Sequence, residues 1–236
     1  MEIELHDPIR MKLESIGVIR SCYDEKFGTP RQPGLCPSAW GELVFHSHMR
    51  SLESIRGLDG FSHIWLIFGF HQSADRGWSP TVRPPRLGGN RRVGVFASRA
   101  TFRPNPIGLS LVKLDEIDAS HIDAPVLKLS GIDLVDGTPV YDIKPYLAYA
   151  EAVPEAAAGY AAEEIARFPV IIEASASAVY DSLDPRSQQI IRESLSLNCR
   201  PAAHAADDTK TYGVRLCGHN VRFRFYDQAC HVLEIS

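Results

Sequence analysis

The stretch GIDLVDGTPVYDIKPY, residues 131 to 146, contains side chains that can take up a proton. Asp142 and Lys144 are two residues apart, so an extended strand places them on the same face. A carboxylate next to an ammonium group can accept a proton while the cation stabilises the charge that develops. Asp136 is a second candidate base, although an Asp-Gly pair is also the preferred chemistry of a tight turn. The stretch therefore predicts general-base chemistry assisted by a cation.

A second stretch, FRPNPIGLS at residues 102 to 110, predicts a stiff loop that aims two polar side chains. Arg103 and Asn105 each precede a proline, which excludes the α region and holds both residues extended. We expect Arg103 to contact a phosphate or a base face, and Asn105 to align the reacting groups by a hydrogen bond. The alternative is that the loop only closes the fold and Asn105 caps neighbouring backbone.

The segment from Arg76 to Arg103 has seven arginines and no Asp or Glu, although the whole chain has a net charge of −4. Arginine without neighbouring acids is typical of a surface that binds phosphate. The alternative is a set of internal salt bridges to acids elsewhere in the chain. Five of these arginines are candidate RNA contacts: Arg83, Arg86, Arg91, Arg92 and Arg103.

Several classes of protein are excluded by what the sequence lacks. The longest apolar run, residues 64–70, is too short to cross a membrane, and the charged first 17 residues do not resemble a signal peptide, so we expect a cytoplasmic protein. Five cysteines without a C-x-x-C pair argue against a disulfide framework. Nucleotide-binding, zinc-protease and serine-hydrolase motifs are missing. Neither the His46 and His48 pair nor the His63 and His71 pair has an evident third ligand, so we expect no metal site.

The elements that must position these residues are mainly strands. Short stretches with strand character occur at 14–20, 41–46, 61–70, 92–97, 107–117 and 124–134, and only 51–57 has a helical pattern. Strands without long intervening helices predict a closed barrel made of a single sheet. The Asp-Gly pair at 136–137 predicts a hairpin between 132–135 and 138–143.

A change of composition after Tyr149 predicts a second, smaller unit. Residues 151–166 are rich in alanine and acids and are typical of a linker with some helical tendency. Residues 184–197 begin with Asp and Pro, which is the pattern of a capped helix. With a strand at 168–174 and three alternating strands after residue 210, the sequence predicts a small α+β domain over 167–236, following a barrel over 11–150.

Four blocks of the sequence resemble signature blocks of the TsaA/YaeB/VirR family, also called TrmO: residues 30–35, 81–90, 94–110 and 133–146. The resemblance implies a β-barrel that binds S-adenosylmethionine and forms a homodimer. It further implies methylation of N6 of threonylcarbamoyl-adenosine beside the anticodon of threonine tRNA. It also implies an RNA-contacting role for the C-terminal domain. No metal is implied.

The resemblance also implies which residues bind the methyl donor: Pro30, Arg31, Gln32, Phe70, His71, Arg99, Leu109, Asp133, Leu134, Val135 and Asp136. Phe70, Leu109 and Leu134 suit the adenine of the donor, whereas Arg31 or Arg99 suits its carboxylate. On the acceptor, Asp142 or Asp136 is the candidate proton acceptor, Lys144 its cationic helper and Asn105 the aligning residue.

One block departs from the family pattern. Residues 198–203 read NCRPAA, which keeps Arg200 and Pro201 but lacks the acid and the tyrosine that are common in the family. We keep Arg200 as a candidate RNA contact. If the tyrosine stacks on RNA in the family, this chain either uses another aromatic residue, with Tyr212 and Phe225 as candidates, or binds RNA less tightly. Two alternatives stay open: a donor-binding regulator without turnover, and an RNA-binding barrel with a vestigial donor pocket.

Overall fold

The computed structural model describes residues 12–200 and 208–236. Residue 11 of the predicted barrel domain and residues 201–203 of the NCRPAA block lie outside the described residues. The first part of the chain is the expected barrel, closed by six antiparallel strands in the order β1-β2-β7-β6-β3-β8. These strands are β1 Gly17–Ser21, β2 Trp40–Phe45, β3 His63–Gly69, β6 Ile107–Asp118, β7 Val126–Ser130 and β8 Pro139–Pro145.

The barrel interior follows from strict alternation along the strands. In β6 the buried positions are Gly108, Ser110, Val112 and Leu114, and the residues between them are more exposed. Gly108 is opposite Phe68 of β3, and a Cβ on Gly108 would lie 2.2 Å from the Phe68 ring. Only glycine therefore allows the ring to lie against β6 at this end of the barrel.

The predicted strand at 92–97 is wrong as a barrel strand. Only Val93–Gly94 (β5) is extended, and it pairs with Thr81–Val82 (β4) in a separate two-stranded ribbon. Pro80 and Pro84 bound β4 on both sides and donate no backbone hydrogen bonds, which limits the ribbon to two residue pairs. Residues 74–103 therefore form an insertion between β3 and β6, with short 3-10 turns at 74–76, 85–87 and 95–97.

The predicted hairpin around Asp136 is correct as a turn and wrong in its pairing. Gly137 has a positive φ of 75°, but β8 pairs with β3 and β1 and not with residues 132–135. Those residues lie beside β1, where Ser21 Oγ donates to the Leu134 carbonyl at 2.7 Å. The helical pattern at 51–57 forms turns and no helix, because Ile55 alone of this segment is buried and a helix would have no apolar stripe.

The C-terminal part of the chain is the expected small α+β unit. Its four strands have the order β10-β11-β12-β9, with β9 parallel to β12. The predicted capped helix is confirmed, since the Asp184 carboxylate accepts from the amides of Arg186 and Ser187. The bounds are β9 Val170–Ile172, β10 Thr211–Leu216, β11 His219–Tyr226, β12 Ala229–Ile235, α1 Ala148–Glu151, α2 Ala174–Ser182 and α3 Pro185–Ser196.

Helix α3 packs against the loop that joins β1 to β2, residues 22–39. Glu193 accepts from the amide of Ser38 at 2.9 Å and from its hydroxyl at 3.0 Å. The Tyr23 hydroxyl is buried 3.2 Å from Ser194 Oγ. The loop is therefore held between the barrel and the second unit. No helix within the described residues is long and apolar enough to cross a membrane, and all five cysteines are free.

Candidate functional site

Residues from four separate segments meet at one end of the barrel. Arg99 of the insertion donates from Nη1 to Gln32 Oε1 of the β1–β2 loop at 2.6 Å. Ser110, on the inner side of β6, donates from Oγ to Asp133 Oδ1 at 2.6 Å. Arg99 also acts electrostatically on the Asp133 carboxylate. We call Gln32, Arg99, Ser110 and Asp133 the polar cluster.

Asp133 has an unusual environment for a carboxylate. Burial of the side chain raises its pKa from 3.8 to about 6, although the Ser110 hydrogen bond and the charge of Arg99 both oppose the shift. The carboxylate is ionised at neutral pH but protonates within a physiologically accessible range. A buried anion of this kind favours a cationic or hydroxyl-bearing ligand, and the sulfonium donor expected from the sequence offers both groups.

The other donor residues that the resemblance implies differ in their contacts and burial. Phe70 follows β3, packs edge-on against Phe68 with ring centroids 5.3 Å apart, and its amide donates to the Pro106 carbonyl at 2.8 Å. Leu134 is buried beside Asp133, and Pro30 is buried in the loop. Val135 is half-buried, whereas Arg31 and His71 are exposed. Of these residues, Phe70 is a half-buried aromatic ring and Arg31 and His71 are open to solvent.

Leu109, Asp142 and Lys144 lie on the outer face of the barrel. Leu109 and Asp142 both pair with Ile67 of β3, one from each side, so they belong to one row across three strands. Leu109 is 52% exposed. As expected, Asp142 and Lys144 share a face, and their charged groups are 2.9 Å apart. The structure does not bring this ion pair to the inner side of β6, where Ser110 holds Asp133.

Asp136 and the Pro-Asn-Pro loop make mainly backbone contacts. Asp136 Oδ1 accepts from the Ser21 amide at 2.9 Å, which ties the turn to the end of β1. Asn105 is exposed, and within residues 12–200 and 208–236 its side-chain amide has no hydrogen-bond partner. Arg103 Nη1 donates to the carbonyls of Val95 at 3.1 Å and Ser98 at 2.7 Å. Arg103 therefore stiffens the insertion, while the Asn105 side chain stays available.

The other arginines fall into three environments. Arg86 donates to the linker carbonyls of Ala161 and Glu163. Arg83 and Arg91 are exposed, and their side chains have no hydrogen-bond partner in the described part of the chain. Arg200 is buried, with its guanidinium 4.3 Å from the centroid of the Phe225 ring. The structure thus leaves the insertion, and not Arg200, as the exposed arginine surface.

The expected replacement for the missing tyrosine is wrong. Phe225 is 2% exposed and Tyr212 is 9% exposed, and both belong to the apolar core of the second unit. Burial alternates along both strands, and Phe225 of β11 and Tyr212 of β10 occupy buried positions. Neither ring can stack on a base without unpacking the core.

A cavity of about 340 Å³ opens between the β4–β5 ribbon and the loop that follows it. Its walls carry two arginines, one aromatic ring and two hydroxyl groups, from these residues: Ser79, Thr81, Val82, Arg83, Arg92, Ala100 and Phe102. Arg92 Nη1 donates to Thr81 Oγ1 at 3.0 Å, which fixes one arginine at the wall.

The sequence interpretation missed Ser110. A usable signal was present, because Ser110 occupies the inward phase of a strand whose other inward residues are Gly108, Val112 and Leu114. A hydroxyl group among inward-facing apolar residues needs a buried hydrogen-bond partner, and for Ser110 that partner is Asp133. Among the described residues no group of three or more His, Cys, Asp or Glu side chains could hold a metal ion.

Comparisons with known proteins identify relatives over both parts of the chain. A family model described as the tRNA-methyltransferase O N-terminal domain matches residues 18–152, and one described as the TrmO C-terminal domain matches residues 166–236. A tRNA (adenine(37)-N6)-methyltransferase of Escherichia coli strain K12 is 51% identical over 230 residues, which are 95% of this chain and 97% of that protein.

Two further relatives extend the comparison. A crystal structure of TrmO from Pseudomonas aeruginosa matches with a TM-score of 0.79 at 36% identity and covers 97% of this chain and 99% of that chain. A protein of Methanothermobacter thermautotrophicus named "Probable S-adenosyl-L-methionine-binding protein" is 37% identical over 138 residues, 58% of this chain and 91% of that protein.

Proposed function

This chain belongs to the tRNA-methyltransferase O family, and from that membership we propose that it methylates N6 of adenosine 37 in tRNA, with S-adenosylmethionine as the methyl donor. The acceptor that we propose in detail is threonylcarbamoyl-adenosine beside the anticodon of threonine tRNA. The proposal includes a homodimer that acts in the cytoplasm.

The observation that carries the proposal is the meeting of separate donor segments in the polar cluster. Gln32, Arg99 and Asp133 come from three segments that are far apart in sequence, and the family resemblance implies a donor-binding role for each of them. Asp133 supplies an anion for the sulfonium or the ribose hydroxyls, and Arg99 supplies a cation for the carboxylate of the donor. Phe70, which is half-buried, supplies an apolar wall for its adenine. The residues therefore fit the donor.

The chain's own contribution to methyl transfer is mainly orientation. The donor supplies an electrophilic methyl group, and its sulfur, the methyl carbon and N6 must be collinear, so rigid positioning gives most of the acceleration. The carbamoyl substituent makes the N6 proton more acidic than that of an unmodified adenine, and one base suffices to remove it. We propose Asp142 for this role with Lys144 beside it, because Asp136 already accepts from the Ser21 amide.

A second copy of the chain would cover the outer face of the barrel, where Leu109 and the proposed base Asp142 lie. Leu109 and Asp142 lie in one row across three strands, about 10 Å apart, and open to solvent in a single chain. A partner that covers this row would remove water from Leu109 and from the Asp142–Lys144 pair. This geometry supports the homodimer part of the proposal.

Nucleoside mass spectrometry tests the proposed function. Chelator-treated protein is incubated with S-adenosylmethionine and an anticodon stem-loop that carries threonylcarbamoyl-adenosine at position 37, and we expect this nucleoside to gain one methyl group. A matched stem-loop with unmodified adenosine is the control. If the protein binds the donor without any mass gain, it is a regulator. If it binds RNA but no donor, it is an RNA-binding barrel with a vestigial pocket.

A further inference from the structure

The β4–β5 ribbon places two arginines next to each other without an acid between them. Thr81 pairs with Gly94 and Val82 with Val93, and Arg83 and Arg92 lie next to these pairs in sequence and both line the same cavity. Two cations that share one cavity repel each other. The whole segment from residue 76 to 103 contains no Asp or Glu that would offset them. An anion bound between the two guanidinium groups would remove this repulsion.

The cavity beside the two arginines has the composition of a site for a modified nucleoside. Its volume of about 340 Å³ is in the range of small-molecule sites. Phe102 offers a face for a base, and the hydroxyls of Ser79 and Thr81 offer hydrogen bonds for an alcohol. Arg92 is already oriented by Thr81, while Arg83 is exposed and has its fork of donors available within the described residues.

The cavity also adjoins the donor site along the chain. Ala100 lines the cavity, and the residue before it, Arg99, donates to Gln32 of the polar cluster. The same short loop therefore contributes to the cavity and to the polar cluster. A nucleoside held in the cavity is thus contacted by the same loop that contributes Arg99 to the proposed donor site.

We propose that this cavity binds the threonylcarbamoyl group of the acceptor, and that Arg83 and Arg92 recognise its free carboxylate. This inference rests on the proposed function, because it assumes that the acceptor is threonylcarbamoyl-adenosine. A carboxylate is planar and accepts two parallel hydrogen bonds from one arginine fork. The threonine hydroxyl then meets Ser79 or Thr81. Arg83 and Arg92 thereby become the residues that distinguish the modified adenosine from plain adenosine.

Backbone phosphate is the other anion that the two arginines can bind, and the experiment separates the two sources. Two stem-loops are compared that differ in one group: the natural threonylcarbamoyl-adenosine, and its threonine carboxamide analogue, which has the same shape and no charge. Equilibrium binding is measured with protein saturated with S-adenosylhomocysteine, so that no turnover is needed. Methylation rates are measured in parallel with S-adenosylmethionine.

We expect the parental protein to bind the carboxylate RNA about 10- to 100-fold more tightly than the carboxamide RNA, as a charge-assisted hydrogen-bond pair predicts. Arg83→Ala and Arg92→Ala should each lose most of this preference. Arg91→Ala is the matched control, because Arg91 is exposed in the same segment but does not line the cavity. This variant should bind both RNAs more weakly by the same factor and keep the preference for the carboxylate RNA.

Two results would overturn the inference. Equal binding of both RNAs by the parental protein would show that the carboxylate is not recognised. If Arg83→Ala and Arg92→Ala lower the affinity for both RNAs by the same factor, these arginines bind backbone phosphate and not the carboxylate. Either result leaves the proposed function intact if the natural RNA is methylated, and a lack of methylation with a retained binding preference would refute only the proposed enzymatic activity.

Discussion

At the scale of single residues, Asp133 shows how a binding group is kept at some expense of stability. Its raised pKa means that the folded protein holds a proton that the unfolded chain has already released between pH 3.8 and about pH 6. Stability therefore falls as the pH rises through this window and stays lower above it. A residue that destabilises the fold in its ionised form is typical of a site selected for ligand binding.

Asp133→Asn should make the protein more stable at pH 7.5, by about 1 to 2 kcal/mol, because the buried charge is removed and the amide oxygen still accepts from Ser110. The gain should vanish only near pH 3, below both pKa values, where the parental carboxyl is largely protonated in the folded and the unfolded state. Denaturant unfolding at the two pH values measures this difference. The donor affinity of the parental protein should weaken below pH 6, and the variant should bind weakly at every pH. A stability difference between the variant and the parental protein that is the same at both pH values would contradict the pKa assignment.

Asn105→Ala should lose turnover and keep stability. The two flanking prolines hold the backbone, and the exposed side-chain amide has no hydrogen-bond partner among the described residues. The free energy of unfolding should therefore change by less than about 0.5 kcal/mol. Loss of a hydrogen bond that aligns donor and acceptor can lower the rate about a hundredfold. Single-turnover methylation and thermal unfolding measure the two effects. A lower melting temperature with an unchanged rate would show that Asn105 caps the loop.

At the scale of elements, helix α3 determines the position of the first donor block. Its Glu193 holds Ser38 at the end of the same loop that contains Pro30 and Gln32. Arg167 of the preceding segment donates to the Leu35 carbonyl at 2.6 Å. The second unit therefore helps to fix the loop that we propose binds the donor.

Glu193→Ala should weaken donor binding several-fold and cost about 1 to 3 kcal/mol of stability, because the Ser38 amide loses its acceptor. Gln189→Ala is the matched control, since Gln189 is exposed on the same helix, donates to Glu193 and makes no hydrogen bond to the loop among the described residues. Calorimetric titration with the donor and denaturant unfolding provide the two readouts. Unchanged donor affinity in a destabilised Glu193→Ala protein would restrict the helix to a structural role.

The elements that the sequence predicts well are those whose signals are local. Asp184 and Pro185 start α3 as expected, and the alternation in β10, β11 and β12 predicts their antiparallel sheet. The Asp-Gly turn at 136 is local too, but its pairing partners depend on barrel closure, which no local pattern encodes. Helix α2 was not expected, because its sequence ASASAVYDS has many small residues and only a weak apolar stripe.

The candidate site is predictable in part for the same reason. The family blocks predict the segments that contain Gln32, Arg99 and Asp133, and the structure brings these three together. They do not predict that Asp142 faces outward while Asp133 is held from the inner side of β6, since this depends on strand register. Ser110 was within reach of a periodicity argument and was missed. The orientations of Arg86 and Arg200 depend on contacts between distant segments.

At the scale of the whole molecule, the two units share one continuous apolar core that includes Ile19 and Tyr23 from the first and Leu195 and Leu216 from the second. Polar contacts cross the same boundary, such as the amide of Cys217, which donates to the Cys22 carbonyl at 2.9 Å. A boundary that is packed like a protein interior does not allow one side to unfold alone at low cost.

We therefore expect a single cooperative unfolding transition, with equal calorimetric and van't Hoff enthalpies. Tyr23→Phe removes the hydrogen bond to Ser194 across the boundary and should lower stability by about 1 kcal/mol without splitting the transition. Differential scanning calorimetry of the parental protein and the variant makes the measurement. Two separate transitions in the parental protein would show that the units are energetically independent.

The loop at residues 22–39 also restricts how such a gene can be recombined. Because Tyr23, Leu35 and Ser38 touch the second unit while Gln32 touches Arg99, the loop belongs to both parts of the chain at once. A chimera that exchanges only residues 167–236 for those of a homologue would bring a foreign surface against this loop. Chimeras that take the loop and α3 from the same parent should fold, whereas those that take them from different parents should be less stable.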